Sequence, residues 1–170
     1  LVPSYATAIG ASSDRPAALA ELMGIILNGG VRRPTLSLKK LHFARGTPYE
    51  TLLEPLGNSG EQIIGPAVAR ALRTLLADVV EVGTARRMRG AFVGPDGTPV
   101  VVGGKTGSGD NQFKTFDRHG QVLSSRAVNR TATFVFYIGE RYFGVLTAFV
   151  PGREASGYRF TSALPVTVLK

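Results

Sequence analysis

The sequence predicts a mixed α/β protein of the α+β type, in which helices flank an antiparallel sheet. Helical periodicity dominates the chain before Gly90, whereas β-branched and aromatic runs separated by turn residues dominate after it. A length of 170 residues with 44% hydrophobic content is enough for one domain with a core. We therefore expect one domain or a part of one.

The first predicted helix lies in SSDRPAALAELMGIILNGG. Ser13 or Asp14 would be its N-cap, Pro16 would lie in the first turn, and Asn28 with the two glycines after it would end the helix. Apolar residues occur on nearly all sides of this segment, so we expect the helix to be buried.

A second helix is predicted from Pro66 to Gly83 in GPAVARALRTLLADVVEVG, followed by a short helical turn in TARRMRG. Its apolar stripe would consist of Val68, Leu72, Leu75, Leu76 and Val79. GYRFTSALPVTVLK predicts a last helix that begins between Ser162 and Pro165.

Strand patterns are of two kinds. The imperfect alternation of RPTLSLKKLHFA predicts an exposed strand or extended segment over 33–44. GPDGTPVVVGG predicts a turn followed by a strand, and RTATFVFYIGERYFGVLTAFV predicts two strands joined tightly at Gly139-Glu140. Because both strands are apolar at consecutive positions, we expect their hairpin in the middle of a sheet covered by helices. The polar segment 111–129 would be a long connection, functional or mobile.

Charge and composition exclude several classes of protein. The chain has 20 Lys+Arg against 12 Asp+Glu, for a net charge of +8, which favours anionic polymers or membrane surfaces. The cations are scattered without an aromatic-rich basic motif, so we interpret them as solvated faces and expect no nucleic-acid partner. With no cysteine there is no disulfide, zinc knuckle or thiol nucleophile. We interpret His42 and His119 as isolated surface residues without carboxylate or cysteine side chains beside them to share a metal ion, and we expect no metal or cofactor to be bound.

The segment VVVGGKTGSGD, residues 100–110, has two candidate chemistries. A phosphate-binding loop requires a glycine six residues before Lys105, where the chain has Pro99, and a helix afterwards, which GSGDNQFKTF does not predict. The segment thus meets neither requirement, and we do not favour that chemistry. The order Lys105, Thr106, Gly107 and Ser108 instead resembles the K-T-G box of penicillin-recognising serine enzymes.

Two further segments resemble landmarks of the same enzymes: ATAIGASSDRPAALAELMGIILNGGVRRPT and DVVEVGTARRM. Their order and approximate spacing agree from about Tyr5 to Lys170. The chain, residues 1–170, thus resembles the C-terminal portion of a penicillin-binding transpeptidase domain, with a partial β-lactamase/transpeptidase-like fold. It begins without methionine, and a bifunctional enzyme with an upstream glycosyltransferase domain is one parent that the resemblance allows.

Two boxes of that family are missing. The only S-x-x-K is Ser37 to Lys40, which follows Asn-Gly-Gly and Pro34 on a strand-like segment, so we interpret it as an exposed strand. No serine has asparagine two places on; the nearest sequences are Ser12-Ser13-Asp14 and Ser108-Gly109-Asp110. We therefore expect the nucleophile to lie in an N-terminal part absent from this chain, and the isolated chain to be inactive.

The resemblance implies a peptidoglycan D,D-transpeptidase that cross-links stem peptides by serine acyl transfer and binds β-lactams. It assigns catalytic roles to Lys105, through its positive potential, and to Ser108, whose N–H would form half of an oxyanion hole. It assigns substrate binding to Lys105, Thr106, Gly107 and Ser108, with the two hydroxyls on the terminal carboxylate. Serine at 108 departs from the commoner threonine, and the segment before NRTATFVF is unusually long.

The implied partners are the peptidoglycan stem peptide, β-lactams, and the remainder of the parent chain or a second copy pairing at strand 142–150, which would otherwise be an apolar sheet edge. The implied location is extracytoplasmic, with a membrane-anchored parent. Three alternatives stay open: a related serine D,D-carboxypeptidase or β-lactamase, a noncatalytic envelope-binding or scaffolding module, and a basic nucleic-acid binder.

Overall fold

A computed structural model describes residues 14–54 and 59–170. The elements in chain order are α1 (Pro16–Leu27), β1 (Val31–Arg32), β2 (Leu41–Phe43), β3 (Thr51–Leu53), β4 (Glu61–Gln62), α2 (Pro66–Glu81), a 3₁₀ turn (Arg86–Met88), β5 (Val102–Phe116), β6 (Val122–Ile138), β7 (Tyr142–Pro151), a second 3₁₀ turn (Arg153–Gly157) and α3 (Ala163–Leu169). The predicted architecture of an antiparallel sheet with flanking helices is confirmed.

The main sheet has three antiparallel strands in the order β5-β6-β7. The tight turn predicted between β6 and β7 is confirmed, and Gly139 adopts φ +60° there, a conformation that residues with a Cβ seldom adopt. The expected place of this hairpin in the middle of the sheet is wrong. Within the described chain β7 pairs only with β6, so it is an edge strand and its Tyr142 and Phe149 are largely exposed.

The polar segment 111–129 is not a connection but the outer half of a long β5–β6 hairpin. The two strands pair as far as Phe116 with Val122, with irregularities in register near Gln112 and Phe116. The turn is closed by Asp117, whose N–H donates to the Gln121 carbonyl at 2.9 Å. The loop prediction is wrong because a two-stranded ribbon exposes both faces, so its sequence has no apolar alternation to reveal it.

The core lies between the sheet and the helices. A buried cluster joins Val80, Ala85, Met88, Val102, Phe134 and Val166. On one sheet face α1 brings Gly24 against the Phe143 ring, and the Tyr137 hydroxyl donates to the α2 carbonyl of Arg73 at 2.8 Å. On the opposite face α3 contributes Val166, which packs in the cluster with Phe134.

Helix α1 begins at Pro16, but its N-cap is Arg15, which makes no side-chain capping bond. The expectation of Asp14 as the cap is therefore wrong, and Ser13 lies outside the described residues. Asn28 is the C-cap, as predicted. The helix is buried only over 23–26, while Leu22 is 46% exposed, so the prediction of a helix buried all round is wrong.

Helix α2 and the 3₁₀ turn after it form where the sequence predicts them, but the buried side of α2 differs from the predicted stripe. Its buried residues are Ala69 and Val80, whereas Val68 and Leu75 are exposed. Periodicity alone cannot fix which side of an apolar helix meets its neighbour, and here one of the two buried positions is the small residue Ala69. No helix of the described chain is long and apolar enough to cross a membrane.

Candidate functional site

The K-T-G segment, Lys105 to Ser108, lies in the first half of β5, paired in register with β6 residues 132–135. The other side of β5 has no strand partner within the described residues. The predicted position at a sheet edge therefore agrees with the structure.

The backbone direction of this edge follows from one hydrogen bond. Gly139 N–H donates to the Val101 carbonyl across the β6 side at 2.8 Å. Because backbone groups of successive residues in an antiparallel strand point to alternate sides, those of Thr106 and Ser108 point away from β6. The Thr106 carbonyl accordingly accepts a bond from Lys105 Nζ at 2.7 Å. The Ser108 N–H thus faces the open edge.

Thr106 is only 9% exposed, and its hydroxyl lies 2.6 Å from the hydroxyl of Thr84. Thr84 follows α2 in the Gly83-Thr84-Ala85 segment, which the sequence flags as a landmark but not as a site residue. The structure thus brings two of the three sequence landmarks into contact. One of the two hydroxyl protons is used between them, so the other remains available to a ligand.

Ser108 is exposed, and its Oγ accepts the backbone N–H of Ser162 at 2.8 Å. This bond connects β5 to the start of α3 and leaves the Ser108 hydroxyl proton free to donate. Gly107 is also exposed.

Lys105 supplies the positive charge of the segment. Its side chain is exposed, and within the described chain its ammonium bonds only the Thr106 carbonyl. Two of its three N–H groups are therefore available to an anion at the open edge. The Lys105, Thr106 and Ser108 side chains and the Ser108 N–H together offer several donors and no carboxylate, which suits an anionic or carbonyl-bearing ligand.

The S-x-x-K sequence does not form a nucleophile site. Ser37 and Lys40 lie on an exposed, non-helical segment before β2. Side chains three apart lie together on a helix but point to opposite sides of an extended chain. Ser12 and Ser13 lie outside the described residues.

The two histidines have different surroundings. His42 makes a 2.5 Å contact with the Glu50 carboxylate, so the expectation that it has no carboxylate company is wrong. Hydrogen bonds with the Gly46 N–H and with the His42 side chain lower the pKa of the Glu50 carboxyl group. His119 is exposed at the ribbon turn and accepts a bond from Arg118 at 3.1 Å. In residues 14–54 and 59–170 no three His, Cys, Asp or Glu side chains are grouped to hold a metal ion.

No protein-family model and no curated protein sequence matches the chain. Among solved structures, it is similar to penicillin-binding protein A from M. tuberculosis, solved as a ceftriaxone acyl-enzyme complex, with 20% identity and a TM-score of 0.56 over 89% of this chain and 30% of that one. It is also similar to penicillin-binding protein 3 from Mycobacterium tuberculosis complexed with aztreonam (18% identity, TM-score 0.52, 86% of this chain and 31% of that one).

A third similar structure is the D,D-transpeptidase domain of a peptidoglycan glycosyltransferase from Eggerthella lenta, at 18% identity and a TM-score of 0.52, covering 88% of this chain and 30% of that one. The chain thus spans about 30% of the length of these structures. The similarities confirm the penicillin-binding transpeptidase-like fold that the sequence resemblance implies.

Proposed function

We propose that this chain forms the K-T-G side of the active site of a peptidoglycan D,D-transpeptidase and belongs to a larger parent protein that supplies the nucleophile. The observation that carries the proposal is the open edge of β5, where Lys105 and the outward Ser108 N–H lie together on a transpeptidase-like fold. The absence of a helical S-x-x-K in the sequence supports a nucleophile outside residues 1–170.

The proposed reaction is two successive acyl transfers. A serine hydroxyl oxygen of the parent attacks the carbonyl carbon of the penultimate D-Ala, the bond to the terminal D-Ala nitrogen breaks, and that nitrogen takes up the serine proton. An amine of a second stem peptide then attacks the resulting ester, loses a proton and restores the serine hydroxyl. The products are a cross-linked peptide and free D-Ala.

Each residue of the K-T-G segment has a role that its contacts allow. Lys105 provides positive potential for the terminal carboxylate and the developing oxyanion. The spare hydroxyl protons at Thr106 and Ser108 donate to the carboxylate, and Gly107 lets the substrate backbone come close. The Ser108 N–H donates to the oxyanion, and the second donor is the backbone of the absent serine.

The wider setting belongs to the same proposal. β-Lactams would be trapped at the acyl stage, as in the acyl-enzyme complexes of M. tuberculosis penicillin-binding protein A with ceftriaxone and imipenem. The free edge of β7 would pair with the remainder of the parent chain or with a second copy. The parent would act outside the cytoplasm, anchored to the membrane.

Labelling with a fluorescent penicillin tests the proposal. We expect covalent labelling of the parent protein, no labelling of the isolated chain, and at least about tenfold slower labelling of the parent with Lys105→Ala, the loss expected for one charge-assisted hydrogen bond. Labelling of the isolated chain would show that the nucleophile lies within it. An unlabelled parent would indicate a noncatalytic envelope module, and D-Ala release without cross-linked product would indicate a carboxypeptidase.

A further inference from the structure

The β2–β3 hairpin and the segment before it, residues 32–54, form an exposed arm, which we call the hairpin arm. Every residue from 32 to 54 is exposed. Among the residues that the structure describes, β2 and β3 pair only with each other. Five leucines of the arm, together with Phe43 and Tyr49, have large side chains open to solvent. Exposed apolar side chains grouped in this way mark a surface on which another body docks.

The two faces of the hairpin differ in chemistry. Directly opposed residues of antiparallel strands have their side chains on the same face, so the opposed residues Leu41 and Leu53 share one face. Phe43 lies two positions after Leu41 and therefore lies on that face too. The opposed residues His42 and Leu52 lie on the other face. One face of the hairpin is thus mainly apolar, and a polar side chain interrupts the other.

Both carboxylates of the hairpin arm are paired, whereas three of its cations are not. The arm has five Lys or Arg and two Glu, for a net charge of +3. Glu50 contacts His42, and the Glu54 carboxylate lies 3.5 Å from Lys40 Nζ. Three cationic side chains of the arm have no hydrogen-bond or ion-pair partner in the described part of the chain: Arg33, Lys39 and Arg45. The arm therefore presents free cations beside an apolar face and no free carboxylate.

The turn of the hairpin is held by bonds within the arm itself. The Glu50 carboxylate accepts the Gly46 N–H at 2.9 Å, and the Thr47 hydroxyl donates to the Ala44 carbonyl at 2.7 Å. These bonds fix a tip at which Tyr49 is 82% exposed. A two-stranded hairpin alone is only marginally stable in water. A surface that covers its apolar face would therefore stabilise the arm.

We propose that the hairpin arm docks on an anionic lipid bilayer, with Leu41 and Phe43 at the boundary between headgroups and acyl chains and the free cations on the lipid phosphates. Apolar side chains next to unpaired cations are the combination found in amphipathic segments that lie in a membrane interface, and anionic headgroups attract each nearby Lys or Arg. A protein partner fits less well, because the cores of protein interfaces are depleted of lysine. The docking goes beyond the function proposed above and uses no residue of the K-T-G segment.

Vesicle binding by the parent protein, prepared without a membrane anchor, tests the inference. The partition coefficient is measured by cosedimentation with phosphatidylcholine vesicles that contain or lack phosphatidylglycerol, at low and at high salt. The variants are Phe43→Gln and Arg45→Gln. Their matched controls on the β5–β6 hairpin are Phe116→Gln, at a residue 57% exposed against 51% for Phe43, and Arg118→Gln in the exposed turn. Thermal unfolding verifies that each variant is folded.

The parent should bind the vesicles that contain phosphatidylglycerol. Phe43→Gln should weaken this binding about tenfold, the scale of removing a half-exposed aromatic ring from water, and Arg45→Gln about fivefold. The two control variants should bind as the wild type does. High salt should weaken the binding without abolishing it, because salt screens the cations but not the apolar contact.

Two results would overturn the proposed docking, and neither bears on the transpeptidase proposal. Absence of binding to anionic vesicles would mean that a protein segment, of the parent or of a partner, covers the apolar face instead. Binding that Phe43→Gln leaves unchanged, or that the control variants weaken equally, would mean general adsorption of a chain with a net charge of +8.

Discussion

Alanine substitutions at two glycines of β5 should have different effects, one on substrate binding and the other on folding. A Cβ at Gly107 would meet no atom within 4 Å, whereas a Cβ at Gly104 would lie 2.7 Å from the Phe134 ring and close against the Val135 carbonyl oxygen. We therefore predict opposite phenotypes for the two alanine substitutions, although both add the same methyl group to the same strand. The space beside Gly107 is open in the structure, and in the proposed function the substrate backbone would lie there.

For Gly107→Ala, the free energy of unfolding should be unchanged or higher by about 0.4–1 kcal/mol, since alanine restricts the unfolded chain and meets no obstacle in the fold. The new methyl displaces a closely approaching substrate backbone, and a misplacement of about 1 Å reduces reaction about a hundredfold. For Gly104→Ala, the clash with the backbone of β6 should cost about 1–3 kcal/mol, while the remaining folded protein should react at the normal rate.

The assay pairs a thermal unfolding curve with the fluorescent-penicillin acylation rate per folded molecule, both measured on the parent protein. A cost of 1 kcal/mol should lower Tm by roughly 2–4 °C for a domain of this size. The reasoning fails if Gly107→Ala acylates at the wild-type rate, because the open side of β5 would then not be where substrate binds. It also fails if Gly107→Ala unfolds as readily as Gly104→Ala.

Three other predictions concern single contacts. Thr84→Val removes the partner that lies 2.6 Å from the nearly buried Thr106 hydroxyl and should lower the free energy of unfolding by about 1–2 kcal/mol. Thr106→Val should lower it by less in the Thr84→Val protein than in the wild type. Additive losses in this double-mutant cycle would contradict the contact. Burial raises the pKa of the Tyr137 phenol, so the phenol stabilises the fold fully below its unfolded pKa of about 10 and loses this contribution as pH rises through the higher folded pKa. The difference in unfolding free energy between wild type and Tyr137→Phe should therefore shrink at alkaline pH. A difference that grows with pH in unfolding titrations would refute this sign. The edge of β7 has no second strand partner among the described residues, so we expect the isolated chain to self-associate there. Phe149→Lys should weaken this association because a charge on an edge strand opposes strand pairing. A wild-type chain that stays monomeric in sedimentation velocity would refute the self-pairing.

Local signals in the sequence predict those parts of the fold that depend on a few adjacent residues. Pro16 marks the first helical position because its missing N–H has no partner there in any case. The Gly139 turn is predicted because its backbone needs a positive φ. Both features depend on the allowed backbone conformations of a single residue, and these follow directly from the residue type.

Features that depend on distant packing are not predicted in the same way. The outer half of the β5–β6 hairpin has polar residues on both faces, so nothing in 112–127 distinguishes a ribbon from a loop until the register with its partner is known. The buried side of α2 is likewise set by the sheet beneath it, which leaves Val68 and Leu75 exposed against the prediction.

The residues of the candidate site likewise differ in whether the sequence predicts them. Lys105 to Ser108 can be found in the sequence because a family resemblance fixes their order and residue types. Their supports cannot be found in that way, because Thr84 lies 22 residues from Thr106 and Ser162 lies 54 residues from Ser108. The Gly83-Thr84-Ala85 landmark was the available signal for the first of these contacts, and nothing in the sequence indicated the second.

The two edges of the sheet differ in composition in a way that suits different partners. The open edge of β5 carries glycines and Lys105, which are poor at pairing with another protein strand, so this edge stays accessible to a short peptide. The β7 edge, from Tyr142 to Pro151, has aromatic and β-branched residues without a single charge, which favours a permanent strand partner. A chain segment that covers β7 would therefore stabilise the sheet without competing for the edge at which we propose that Lys105 meets a substrate.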